Sequence, residues 1–171
     1  MYECYFVKFL LFSGNIKLFS PYLMDDETNP DTPLLVNEKI IFFRNINDAT
    51  SFMIEYYPNI TYNKTTIYEF DARTFTENIK EEYHYGAVID NLNIIFDYLN
   101  AIKINKYPFF SKKIIMEFAD YVTFHKEIGV FFQKSPQLTP FKLINFLYWF
   151  LGEISCNSMI YSRHTRLNDI L

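Results

Sequence analysis

The stretch PFKLINFLYWFLGEIS, Pro140 to Ser155, is apolar on almost every side, and its reading decides what kind of fold surrounds it. A membrane-spanning helix needs about 20 mostly apolar residues, and a charge near its centre costs a few kcal/mol. Lys142, Asn145 and Glu153 interrupt this stretch, and its longest uncharged run, Leu143 to Gly152, is about half the spanning length. The segment is therefore expected to be a helix inside a packed core, and no membrane association is expected. Thr139 supplies an N-cap hydroxyl and Pro140 a first helical residue whose missing N–H costs nothing. Phe141, Ile144, Leu147, Tyr148, Leu151 and Ile154 recur at helical spacing, while Phe146, Trp149 and Phe150 cover much of the other side. That pattern predicts packing on both faces.

Towards the N-terminus, Ser111 is placed to cap KKIIMEFADYVTFHKEIG, with Ile114, Ile115, Phe118 and Val122 on one face and Gly129 as an end or kink. From Val88 to Ile102 the apolar residues Val88, Leu92, Ile95, Phe96 and Leu99 face away from Asp90, Asn93, Asp97 and Asn100, the clearest amphipathic helix in the chain. Shorter helices are predicted over Thr76 to Tyr85 and Arg163 to Ile170. Ahead of these the period changes. Tyr2 to Phe12 reads as a strand, Ser13-Gly14-Asn15 as a turn, and Ile16 to Phe19 as its hairpin partner. Pro21 to Pro33, which contains DDETNPD, reads as a surface loop. Lys39 to Arg44 is a strand-length apolar run, Asn47 and Asp48 start a helix that Pro58 stops, and Thr65 to Asp71 alternates with period two. Strands early and helices late predict an α+β fold. A small N-terminal sheet, hairpin plus strand–helix–strand, is expected to pack on a C-terminal bundle of about four helices, as one domain over residues 1–171.

The composition is half hydrophobic and one fifth aromatic, which excludes a disordered chain. The two cysteines, Cys4 and Cys156, lie at opposite ends. They make neither a disulfide framework nor a metal knuckle, so a reducing, cytoplasmic setting is expected. The four glycines are scattered, and no Walker loop, HExxH or CxxC pair occurs. No cofactor, no metal site and no catalytic residue is predicted. Histidines are few. His125 on a helix, and His84 beside Glu81 and Glu82, leave open an alternative, a small intracellular enzyme with a His/carboxylate site.

Charge separates along the chain. Residues 1–100 carry 7 Lys and Arg against 15 Asp and Glu, net −8, whereas residues 101–171 are net +4. Asp25, Asp26, Glu27 and Asp31 cluster in the proline-flanked loop, and Glu77, Glu81 and Glu82 form a second cluster. Such carboxylates repel a nucleic-acid backbone and draw in a basic protein. These seven residues are the expected partner-binding site, on one shared face.

The strand–helix–strand segment KIIFFRNINDATSFMIEYYP, followed by TTIYEFDARTF, in a small acidic chain without a catalytic motif, resembles the immunity proteins of contact-dependent growth-inhibition and other polymorphic toxin systems. The resemblance covers about a quarter of the chain. It implies a cytoplasmic, non-catalytic protein that binds a cognate toxin domain, often a basic nuclease, and covers its active site. Immunity proteins differ widely in fold, so the resemblance implies no architecture and no residue roles.

Overall fold

The computed structural model describes residues 2–11, 16–25, 30–81 and 85–162. Tyr2–Leu10 (β1) and Lys17–Asp25 (β2) form the antiparallel hairpin, in unbroken register from Tyr2↔Asp25 to Leu10↔Lys17. On β1 Cys4, Phe6, Val7 and Phe9 are all buried. A strand that is apolar on both faces belongs inside a sheet covered on both sides, and β1 has a strand on either side of it.

Two-residue strands Thr32–Pro33 (β3) and Leu35–Val36 (β4) lead into Lys39–Phe43 (β5). Asn37 and Glu38 join β4 to β5 with φ of 53° and 61°, the left-handed pair that a two-residue hairpin turn requires. Helix Ile46–Tyr56 (α1) follows, then Thr61–Asp71 (β6). The Asn45 side chain caps α1 by accepting from the Asp48 N–H, two residues ahead of the expected start. Five helices follow among the described residues: Ala72–Glu81 (α2), Tyr85–Ala101 (α3), Lys112–His125 (α4), Ile128–Lys134 (α5) and Pro140–Cys156 (α6). The last described element is Ser158–Tyr161 (β7).

Among the described residues the sheet has seven strands. Its main path runs β4-β5-β2-β1-β6, with β3 beside β2 and β7 beside β5. β6 lies parallel to β1, and β7 parallel to β5. Two cores result. Cys4, Phe6, Ile41 and Phe43 face α1 through Ala49, Phe52 and Met53. Val7, Phe9, Ile40, Phe42 and Phe70 face the helices α2–α6, and Phe9 lies within 5.1 Å, ring centre to ring centre, of Phe42, Phe70 and Tyr98. Alternation along each strand sends neighbouring residues to opposite cores.

The expected α+β class is observed, with the helix over Pro140–Cys156 packed by Leu143, Phe146, Leu147, Phe150 and Ile154 and capped by Thr139. Ser111 caps α4 as expected. Four details differ. The segment read as a loop from Pro21 continues β2 to Asp25, because Pro21 falls between the contacts of β2 with β5 at Phe19 and with β3 at Tyr22. No ladder bond there needs its missing N–H, and its carbonyl accepts from the Leu34 N–H at 2.9 Å. α2 begins at Ala72 rather than Thr76, because Asp71 Oδ1 accepts from the N–H groups of Arg73 and Thr74. α4 ends at Lys126 in the left-handed region (φ 61°), and Gly129 lies inside the next helix. The sheet is not purely N-terminal, since β7 joins it from the far end of the described chain. The helix expected over Arg163 to Ile170 lies outside the described residues.

Candidate functional site

Residues of both halves of the fold wall a cleft of about 780 Å³, a size that suits a ligand or a partner's side chains. Tyr22 and Met24 enter from β2, Ile67 to Glu69 from β6, Asp31 from the segment before β3, and Lys112 and Met116 from α4. The remaining wall is the polar stripe of α3, Asp90, Asn93, Asp97 and Asn100, residues that share one helical face. Among the lining side chains Asp31, Glu69, Asp90 and Asp97 are acidic and Lys112 is basic. Three apolar lining residues, Ile67, Tyr68 and Met116, are each about two fifths exposed beside the polar ones.

The acidic groups are not equivalent. Glu69 is held by Lys8 at 2.7 Å, so part of its charge is already balanced. Asp97 is half-buried and accepts a hydrogen bond from the Tyr22 hydroxyl. Burial raises its carboxyl from 3.8 to about 6; the Tyr22 bond opposes that rise, and the nearby Asp31 charge adds to it. Burial and the facing carboxylate in turn push the Tyr22 phenol far above its ordinary value, so it stays a neutral donor. Tyr22 is fixed from behind by stacking on buried Tyr98, with planes 8° apart. Behind the cleft, the buried Tyr98 hydroxyl has no partner of good hydrogen-bond geometry, although Ser20 lies near enough to offset a little of the burial that raises this phenol. The result is a rigid tyrosine wall that presents one carboxylate to the cleft.

Of the seven residues expected to bind a partner, the described ones are not gathered together. Asp31 lines the cleft. Asp25 ends β2 and Glu81 ends α2, while Asp26, Glu27 and Glu82 lie outside the described residues. Glu77 pairs with Arg73 at 2.7 Å, one helical turn away. Asp31 precedes β3, which pairs beside Leu23 and hence near Cys4, whereas α2 departs from Asp71, which pairs with Leu10. Cys4 and Leu10 are about 20 Å apart along a strand. The two acidic clusters thus start from opposite ends of the sheet, and the carboxylates that meet Asp31 come instead from α3. Asp90 and Asp97 were visible in the sequence as the polar side of an amphipathic helix, but helical period shows which residues share a face and not what that face meets.

The histidine alternative finds no support in this cleft, where no histidine, cysteine, serine or threonine is found among the described lining residues. His125 stacks on the Tyr121 ring at 4.2 Å and contacts the Tyr121 carbonyl through Nδ1, and His84 lies outside the described residues. Among the described residues no group of three His, Cys, Asp or Glu is placed to hold a metal ion, and no helix is long and apolar enough to cross a membrane. A second cleft of about 520 Å³, between Phe9, Phe42, Ile154 and Met159, has Ser155 and Ser158 as its polar side chains among the described residues, too little to orient a ligand. No family model matches the chain, and no curated protein and no solved structure matches it either.

Proposed function

We propose that this protein is a non-catalytic binder that neutralises a basic partner protein, as an immunity protein does a toxin domain, by taking cationic side chains of that partner into the acid-walled cleft. The observation that carries this reading is the placement of Asp31, Asp90 and Asp97 around one cleft that also exposes Ile67, Tyr68 and Met116. A lysine or arginine side chain matches such a site in two parts. Its aliphatic stem packs on Ile67, Tyr68 and Met116 while its charged head reaches the carboxylates. A guanidinium gains additional directionality from the planar fork it offers a carboxylate. Carboxylates that occupy the partner's cationic groups also deny them to phosphate, which is how an acidic inhibitor would silence a nuclease.

The test is co-expression with the product of the neighbouring gene. The expected result is a stable complex that suppresses toxicity, whose association slows as salt is raised. Replacing exposed Asp90 by lysine is expected to weaken the complex by about 2 kcal/mol or more, since a repulsive charge replaces an attractive one. A neighbouring gene product that is not basic, or a complex indifferent to Asp90→Lys, would overturn the reading.

A further inference from the structure

We propose that the outer edge of β6, from Ile67 to Glu69, receives an extended, lysine- or arginine-bearing segment of the partner as an added strand, and that alternate side chains of that segment enter the acid-walled cleft. This deepens the reading above and rests on it. β6 pairs with β1 on one side, and among the described residues no strand pairs with its other side. Thr66, Ile67, Tyr68 and Glu69 are exposed in succession. Successive side chains of a strand point to opposite faces, so four exposed in a row mean that solvent reaches both faces there. A bare strand edge carries unpaired N–H and C=O groups and is a template for strand addition.

The edge is bounded at both ends. Towards its start β6 bulges, because Cys4↔Tyr62 is followed by Phe6↔Ile67, and the Asn63 side chain accepts from the Thr66 N–H across the bulge. Beyond it, Ile67 to Asp71 keep unbroken register with Phe6 to Leu10. At the far end the Asp71 N–H is taken by Asn91 Oδ1 of α3 at 3.0 Å, so it turns away from β1. Alternate backbone groups of a strand share one edge. The N–H groups of Glu69 and Ile67 therefore face outward as well, and buried Asn91 stands where an added strand would end. The added segment would lie between β6 and the Asp90–Asp97 stripe of α3, and that charge fixes its chemistry. An acidic segment would be repelled.

The probe is the blocked peptide acetyl-Lys-Thr-Lys-Thr-Lys-Thr-amide, with a Glu-for-Lys peptide and an alternately N-methylated Lys/Thr peptide as controls. The expected result is binding of the first alone, with amide-exchange protection at Ile67 and Glu69. Ile67→Pro, which removes one outward N–H at an edge that tolerates proline, should weaken binding about tenfold, and Ile67→Ala by far less. The N-methylated peptide keeps the charge and cannot pair, so it serves if Ile67→Pro fails to fold. Lys/Thr binding that Asp90→Lys abolishes but that neither N-methylation nor Ile67→Pro affects would overturn strand addition and leave the acid cleft intact. Equal binding of the acidic peptide, or no binding of either, would overturn both. Protection of the same amides that grows with protein concentration and without peptide would assign the edge to a second copy of this chain, and the proposal would fail.

Discussion

Burying the Asp97 carboxylate costs free energy that its Tyr22 hydrogen bond only partly returns, and this makes the residue a reporter of the cleft. Its carboxyl titrates near 6 in the folded chain and near 3.8 when unfolded. The folded state therefore holds the proton more tightly. The stability this confers is complete below about pH 4 and is lost as pH rises towards 6. Asp97→Asn keeps an acceptor for Tyr22 and removes the titration. The expected outcome is a variant that gains on the wild type between pH 4 and pH 7, measured by urea unfolding at each pH. A constant difference between the two proteins would mean that Asp97 is not held as described. At this scale the sequence was partly legible. The stripe Asp90, Asn93, Asp97 and Asn100 could be read from spacing alone, but Tyr22 as the partner of Asp97 could not, since 75 positions separate them.

Elements are legible where local chemistry sets their limits. Thr139 and Ser111 each accept a hydrogen bond from the backbone N–H three residues ahead, and both caps were evident as hydroxyl residues preceding an apolar run. Thr139→Ala should lower stability by about 1 kcal/mol, and Thr139→Asp by much less, in denaturant titrations. Equal loss in both would indicate packing rather than capping. Strands were harder to delimit. Pro21 looks like a loop signal, and only the split pairing of β2 with β5 and β3 makes it harmless. β7 is four residues long, directly follows a helix, and pairs with a strand far back in the chain, so no local pattern announces it.

The two cores share the same strands, and this governs how the molecule comes apart. Phe9 packs among Phe42, Phe70 and Tyr98, and Phe52 packs between Phe43 and Tyr161 on the other face. Phe9→Ala and Phe52→Ala should each destabilise by about 3–5 kcal/mol, and both should shift one common transition seen by tyrosine fluorescence and far-ultraviolet circular dichroism. Two separable transitions would show that the faces unfold independently. The class of this architecture was legible, because helical and strand periods occupy different halves of the chain. Strand order was not, because it depends on pairings between distant segments that no local period records.

The parallel pairing of β7 with β5 also carries a temporal meaning. A ribosome releases Ile40 to Phe43 more than a hundred residues before Ser158 to Tyr161. Until the later strand emerges, one side of β5 waits without its mate, so nascent chains of this protein carry a sticky margin while the intervening residues are made. Completion of the sheet thus waits on β7, and helper proteins that shield exposed β-structure would act in that interval.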